Sequence, residues 1–228
     1  MSQALSGIRV VELCDRSAAL GGRILADLGA EVIMVEPPQG AEIRHQAPFL
    51  EGQKGPDRSF AHLYFNTNKQ SIVLDLEVVA DREDFVRLVA SADVLLDTQT
   101  PGRLDGWGLT HERLLALNPK LIQCSVTPFG LSTPWAARKA NDLVAGAAGG
   151  LIQVSGSPQG TPIQGGANPS YTMAGLASAS AITIALHQRD RAWAPTGADE
   201  CFEDFEFALE VLALALQVEV AHRLQNTP

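Results

Sequence analysis

Short β-branched runs alternate with amphipathic segments along the 228-residue chain. Ile8–Leu13 (IRVVEL) and Glu31–Glu36 (EVIMVE) are predicted strands, and Leu20–Leu28 between them has apolar residues at helical spacing. Gly29 stands where a helix commonly ends on a residue with positive φ. Together these segments predict a β-α-β unit, with two parallel strands joined by a helix that covers the sheet.

The same alternation continues towards the middle of the chain. Further strands are predicted over residues 71–76, 93–96 and 121–126, and further helices over residues 81–90 and 110–117. The sequence therefore predicts an α/β fold, with an open, mostly parallel Rossmann-like sheet and helices on both faces. Ligands of such sheets bind outside the carboxyl ends of the strands.

The remaining segments depart from this alternation. Residues 40–66 form a long polar connection, and a connection of this length often has a function of its own. A helix of small residues is predicted over Thr172–Arg189, and a long apolar helix over Phe202–Leu224. We expect a ligand-binding large domain over residues 1–200. The apolar helix within residues 201–228 is then expected to need cover from a partner chain or from a missing domain.

Composition and charge exclude several classes of function. Hydrophobic residues make up 46% of the chain, enough for one good core, and the net charge of −9 disfavours nucleic-acid binding through a basic face. Cys14, Cys124 and Cys201 are far apart, and the histidines show no metal-ligand spacing, so we expect free thiols and no metal site. With neither a signal peptide nor a membrane span in the pattern, a cytoplasmic location is expected.

Four stretches, taken together, resemble family III CoA transferases, which include formyl-CoA transferase and α-methylacyl-CoA racemase. They are LSGIRVVEL…ILADLGAEVIMVEPPQGAEIR at 5–44, NTNKQSIVLDLE at 66–77, ADVLLDTQTPGRLDGWGL at 92–109 with NPKLIQCSVTPFG after it, and NDLVAGAAGGLIQVSGSPQGTPIQ at 141–164 with the small-residue helix after it. The resemblance implies CoA or an acyl-CoA as substrate. Family proteins are longer, continue into a second, smaller domain and interlock as two chains. The resemblance therefore also implies that this chain is the large domain only. It further implies a homo- or hetero-oligomer, formed with a homologous subunit or with the complementary domain.

CoA is a long anion, so its site needs cationic side chains or N–H donors near the strand ends. Each such cation has an alternative interpretation as an ordinary solvated surface charge. Thr98 and Gln99 replace an Asn-Phe pair that is common in the family. The residues that the resemblance assigns to CoA are Asp15, Arg16, Arg44, Lys69, Thr98, Gln99, Arg103 and Lys139.

The resemblance also assigns catalytic positions. The transferases use an Asp nucleophile in a D-x-x-x-G pattern, and here that pattern reads Tyr171 to Gly175. A phenol, with a pKa of about 10, is a poor nucleophile at neutral pH. The racemases use a His where this chain has Asn141, which cannot abstract a proton, so racemase activity is not expected. Asp142 beside it is interpreted as an auxiliary carboxylate, a displaced nucleophile or a helix N-cap.

Three functions remain open at this point. The first is a CoA-transferase subunit acting on an organic acid, with the nucleophile supplied by a partner chain. The second is a non-catalytic CoA-binding or scaffolding subunit. The third is another acyl-CoA reaction, hydration or isomerisation, that uses Tyr171 and Asp142. A nucleotide-dependent dehydrogenase is disfavoured because no GxGxxG follows the first strand.

Overall fold

The computed structural model describes residues 3–131, 133–157, 159–192 and 217–221. In the sheet the order is β3-β2-β1-β4-β5-β6; β1 to β5 are parallel, and β6 runs antiparallel to β5. The predicted α/β fold with a mostly parallel sheet is thereby confirmed. The strands are β1 (Arg9–Leu13), β2 (Glu31–Glu36), β3 (Gln70–Val73), β4 (Val94–Asp97), β5 (Ile122–Thr127) and β6 (Gln217–Ala221).

The helices follow the predicted alternation. Gly29 has the expected positive φ, +102°, directly after the first helix. The predicted helix of small residues is confirmed as α7, and it is longer than the spacing indicated. The helices are α1 (Ala19–Asp27), α2 (Phe60–Phe65), α3 (Val79–Ala90), α4 (Arg103–Gly106), α5 (His111–Leu117), α6 (Asp142–Ala148) and α7 (Pro169–Ala192).

Each face of the sheet is covered by its own helices, because successive strand residues point to opposite sides. Val10 of β1 belongs to the core under α1, α6 and α7, with Leu25 and Ile182. Val11 belongs to the opposite core under α3 and α5, with Phe85 among its members. All of these side chains are fully buried. The chain therefore has helices on both faces, as the sequence predicted.

Helices α1 and α7 meet backbone to backbone, which small residues permit. A Cβ on Gly21 would lie 3.0 Å from the carbonyl oxygen of Gly175, and a Cβ on Gly175 would lie 2.7 Å from Cβ of Leu20. Both gaps are tighter than ordinary Cβ contacts, so a larger residue at either crossing position would force α1 and α7 apart. The crossing brings the first turns of α7 over the beginning of α1, beside the tip of β1.

The long connection has structure of its own. It contains 3-10 turns at Glu42–His45 and Leu50–Gly52 before α2 begins. Ser59 caps α2, since its hydroxyl accepts a hydrogen bond from the backbone N–H of His62 at 3.4 Å. Residues 40–66 therefore contain regular structure and follow the carboxyl end of β2.

The predicted apolar helix over Phe202–Leu224 is wrong over residues 217–221, which form β6. That segment, QVEVA, alternates β-branched and polar residues, a pattern that suits a strand. The free edge of β5 offers backbone hydrogen bonds to such a segment, and that pairing outweighs helical spacing. Residues 202–216 and 222–224 of the predicted helix lie outside the described residues, as does Cys201. Cys14 and Cys124 are free thiols.

Candidate functional site

The carboxyl ends of β1 and β4 lie side by side at the centre of the sheet, where the strand order changes direction. At this point the connections leaving the two strands turn to opposite sides, which opens a crevice. The loop after β1 and the loop after β4 are braced against each other there. Thr98 accepts a hydrogen bond on its hydroxyl from the N–H of Asp15 at 2.8 Å, and the Gln99 amide donates to the Leu13 carbonyl at 3.1 Å.

Asp15 shapes the β1 loop through local hydrogen bonds. Its Oδ1 accepts from the N–H of Ser17 at 2.8 Å and from the hydroxyl of the same residue at 2.5 Å. The carboxylate is exposed and lies just before α1, where a negative charge suits the helix dipole. Asp15, Thr98 and Gln99 therefore link the loops that follow β1 and β4.

Arg16 is the predicted cation that lies at this crevice. Its side chain is partly buried, with NH1 donating to Gln46 Oε1 at 2.9 Å and the guanidinium lying 5.6 Å from the ring centroid of Phe65. Neither contact is an ion pair, so the positive charge is not neutralised by these neighbours. A guanidinium of this kind suits a phosphate or carboxylate ligand.

The other predicted CoA-binding cations are placed differently. Lys69 is buried, and its Nζ donates to Glu12 Oε1 at 2.7 Å, to the Ala19 carbonyl at 2.8 Å and to Asn66 Oδ1 at 2.9 Å. An ammonium group has three N–H bonds, so this one has none left for a ligand. In this arrangement Lys69 holds the first turn of α1 to β1.

Arg44 is also held by an acid at the end of a strand. Its Nε and NH2 donate to the two carboxylate oxygens of Glu36 at 2.5 and 2.6 Å, and NH1 donates to Asp57 at 2.5 Å. Glu36 is only 2% exposed, and the hydrogen bonds from Arg44 and Ser71 outweigh its burial and lower the pKa of its carboxyl to about 2. The pair fastens the 40–66 connection to the end of β2.

Arg103 and Lys139 lie at the surface. Arg103 is paired with Glu77, and its guanidinium lies 4.6 Å from the ring centroid of Trp107. Lys139 is exposed, and no ion pair is seen for it among the described residues. The structure thus brings Asp15, Arg16, Thr98 and Gln99 together at the crevice. It places Arg44, Lys69 and Arg103 in ion pairs of their own.

The predicted catalytic positions meet between the beginnings of α6 and α7. Asp142 is buried; its Oδ1 accepts from the N–H of Tyr171 at 3.0 Å and its Oδ2 from the amide of Gln164 at 2.9 Å. The helix N-cap is Asn141, whose Oδ1 accepts from the N–H of Val144 at 3.1 Å. The N-cap interpretation of Asp142 is therefore wrong, because its carboxylate reaches α7.

An open pocket of about 240 Å³ lies over this junction. Its lining residues are Asn141, Asp142, Leu143, Gln164, Asn168 and Tyr171. Tyr171 is half-buried, and burial raises the pKa of its phenol, with the negative charges of Asp15 and Asp142 adding to the effect. The phenol therefore keeps its proton at neutral pH and can act as a hydrogen-bond donor.

Sequence reasoning missed Gln46, Phe65 and Gln164, which contact predicted site residues. The only signal for Gln46 and Phe65 was the length of the connection that carries them. It also missed Glu12 and Glu36, although an acid inside an apolar strand, as in RVVEL and EVIMVE, was a usable signal for a buried ion pair.

Within the part of the chain that the structure describes, no group of three or more His, Cys, Asp or Glu side chains could hold a metal ion. No helix in that part is both long enough and apolar enough to cross a membrane.

Comparisons with known proteins identify the family of the chain. The sequence model of CoA-transferase family III matches residues 5–200. The chain belongs to CoA-transferase family III. The subunit BbsE of succinyl-CoA:(R)-benzylsuccinate CoA-transferase from Thauera aromatica is 37% identical over 92% of this chain and 52% of its own length. Succinate–glutarate CoA-transferase from Agrobacterium fabrum is 39% identical over 80% of this chain and 46% of its own length.

A solved structure agrees with the family assignment. The crystal structure of a CAIB/BAIF family protein from Brucella suis superposes with a TM-score of 0.77 at 38% identity, over 84% of this chain and 51% of that one. The chain therefore spans about half the length of the relatives it matches.

Proposed function

We propose that this chain binds CoA or an acyl-CoA thioester across the carboxyl ends of β1 and β4. We further propose that it takes part in CoA transfer between organic acids as one subunit of a complex. The names of the relatives support this: one is a subunit of a succinyl-CoA:(R)-benzylsuccinate CoA-transferase, and the other is a succinate–glutarate CoA-transferase.

The observation that carries the CoA proposal is the guanidinium of Arg16 at the point where the strand order reverses. Ligands of open α/β sheets bind there. Its contacts with Gln46 and Phe65 leave its charge available to an anion, whereas Lys69 and Arg44 are neutralised by buried acids. A phosphate or the carboxylate of an acyl group is the natural partner for such a group.

The chemistry of transfer needs a free carboxylate. Its oxygen attacks the thioester carbonyl, the C–S bond breaks, and CoA leaves as a thiolate, giving a mixed anhydride. Asp142 is poorly suited to this step, since it is 4% exposed and both oxygens already accept hydrogen bonds. Tyr171 at the family's Asp position holds its proton. We therefore assign the nucleophile to a partner chain.

The test uses the purified 228-residue chain. Isothermal titration with CoA is expected to show binding, while incubation with acyl-CoA followed by hydroxylamine is expected to reveal no acyl adduct. The Tyr171→Asp variant, which restores a carboxylate at that position, serves as the matched variant for adduct detection. A hydroxylamine-sensitive adduct on the unmodified chain would refute the assignment of the nucleophile to a partner.

Assays of complexes separate a transferase subunit from a scaffold. Native mass spectrometry of the protein from its source, with CoA present, identifies the partner and the stoichiometry. A complex that transfers CoA supports the transferase subunit. CoA binding without turnover in every complex supports the non-catalytic scaffold instead.

A second candidate is hydration or isomerisation of an acyl-CoA by this chain. It is favoured by the pocket that Tyr171 and Asp142 both line, since a phenol that keeps its proton can act as a general acid there. Tyr171→Phe would then abolish turnover of the acyl-CoA substrate. If the Tyr171→Phe variant still turns over the acyl-CoA substrate, a hydration or isomerisation that depends on Tyr171 is excluded.

A further inference from the structure

Both contacts that hold Arg16 come from the 40–66 connection. Its NH1 donates to Gln46 Oε1 at 2.9 Å, and its guanidinium lies over the ring of Phe65 at 5.6 Å. The first contact fixes the plane of the guanidinium at its edge, and the second supports its face. Arg16 itself belongs to the short loop after β1, so these supports come from a distant part of the chain.

Ser59 ties the two supports together. It is fully buried, and its hydroxyl donates to the backbone carbonyl of Gln46 at 2.7 Å. The same hydroxyl accepts from the N–H of His62 and so caps α2, which ends at Phe65. One buried side chain thus sets the backbone of Gln46 relative to the helix that carries Phe65.

The connection is in turn fastened to the sheet. Arg44, two residues before Gln46, makes the bidentate pair with Glu36 at the end of β2. The Ser59 and Arg44 contacts together give Gln46 and Phe65 fixed places relative to the carboxyl ends of the strands. The connection therefore supports the Arg16 side chain at two fixed points, Gln46 and Phe65.

We propose that Gln46 and Phe65 are positioning residues that preorganise Arg16 for the anionic part of CoA. This inference rests on the proposed function, since it concerns the same crevice. An arginine held in its binding geometry loses less conformational freedom when a ligand arrives, and affinity rises accordingly. Neither residue need touch CoA for this effect.

The first experiment measures the dissociation constant for CoA by calorimetry on the full chain. Gln46→Ala is expected to weaken binding roughly tenfold, the effect of one hydrogen bond to a charged group. The matched control is Gln53→Ala, which removes an exposed amide from the same connection and is expected to leave affinity unchanged. Melting temperatures of both variants are expected to stay within about 3 °C of the parent, which excludes a general loss of folding.

The second experiment compares two changes at the aromatic support. Phe65→Leu removes the ring and is expected to weaken CoA binding about two- to fivefold, while Phe65→Tyr keeps the aromatic face and is expected to retain affinity. A purely structural role for Phe65 would instead lower the melting temperature without this difference between the two variants. Equal affinities for the leucine and tyrosine variants overturn the role of Phe65.

A third measurement does not depend on CoA. Phenylglyoxal modifies accessible guanidinium groups, and peptide mass spectrometry reports the rate at each arginine. Gln46→Ala is expected to raise the rate at Arg16 several-fold and to leave the rate at Arg113 unchanged. If Arg16 reactivity and CoA affinity both stay at the parental level in Gln46→Ala, the positioning inference is wrong. If the parent shows no CoA binding but Arg16 reactivity rises in the variant, the positioning stands and the proposed function fails.

Discussion

Two regions of the sheet carry cations that look alike in sequence but have opposite environments. Arg44 pairs with Glu36 at the end of β2 and Lys69 pairs with Glu12 of β1, and the Lys69 side chain is only 1% exposed. At the crevice between β1 and β4, Arg16 is partly exposed and contacts an amide and a ring. The difference shows that a cation near a strand end is available to a ligand only where no buried acid forms an ion pair with it.

The physical reason lies with the acids. Glu12 and Glu36 are 0% and 2% exposed, and a buried carboxylate without a cation is strongly unfavourable. Burial raises the pKa of Glu12 although Lys69 opposes the effect, and its second oxygen has no hydrogen-bond partner among the described residues. Asp15, the acid at the crevice, is exposed and satisfied by Ser17. Asp15 therefore does not need an ion pair with Arg16 to be stable in the fold.

The largest effect is expected from Lys69→Met. The change leaves Glu12 buried beside Gly22, without a cation, and we expect the free energy of unfolding to fall by about 3–5 kcal/mol in urea denaturation. Lys54→Met, at an exposed position, is the control and is expected to change stability by less than about 0.5 kcal/mol. Adding Glu12→Leu to Lys69→Met is expected to restore part of the loss. A stable Lys69→Met chain would show that the ion pair is not essential to the fold.

The next effect concerns acid stability. The pKa of Glu36 is about 2 in the folded chain, against 4.5 as its ordinary value. Because the folded value is the lower one, the stabilisation is complete above pH 4.5 and is lost as the pH falls towards 2. We expect this carboxyl to account for a loss of about 3 kcal/mol over that interval. Denaturation curves of the parent and Glu36→Gln, measured from pH 7 to pH 2.5, are expected to converge at acid pH. Parallel curves would contradict the assignment.

A smaller effect is expected at the crevice, on binding rather than stability. Arg16→Ala is expected to weaken CoA binding roughly 10- to 30-fold, as loss of a charge-assisted hydrogen bond would. Arg16→Lys keeps the charge but loses the planar fork, so an intermediate affinity is expected in calorimetry. The free energy of unfolding is expected to stay within about 0.5 kcal/mol for both variants. Undiminished affinity of the Arg16→Ala variant for CoA would show that CoA does not bind at this crevice.

The smallest effect is expected from Arg103→Ala. The ion pair of this residue with Glu77 is solvent-exposed, and such pairs contribute up to about 1 kcal/mol. We expect a decrease in unfolding free energy below that value, which shrinks further in 1 M salt because exposed charges are screened. CoA affinity is expected to change by less than about twofold. A larger loss of affinity would indicate that Arg103 contacts CoA.

Much of the fold followed from local patterns. Glu31–Glu36 forms a strand with the predicted bounds. The predicted helix of small residues is also present, and its glycine and alanine residues allow α7 to cross α1 closely. The replacement of the family's Asp by Tyr171 could also be read from the order of residues alone. The strand at 217–221 could not be predicted in this way. An apolar segment of mixed pattern takes its structure from the strand with which it pairs, which here is β5.

By itself, the sequence determined the alternation of strands and helices, the family and the identity of the residue at the nucleophile position. The strands and helices depend on neighbours within a few positions along the chain, and the family on the order of several such stretches. Only the tertiary structure decided which cations are available. The partner of Lys69 lies 57 positions away in Glu12, and the partner of Arg16 lies 30 positions away in Gln46. The charge of a side chain is local, but whether that charge is neutralised depends on burial and on contacts that the fold alone creates.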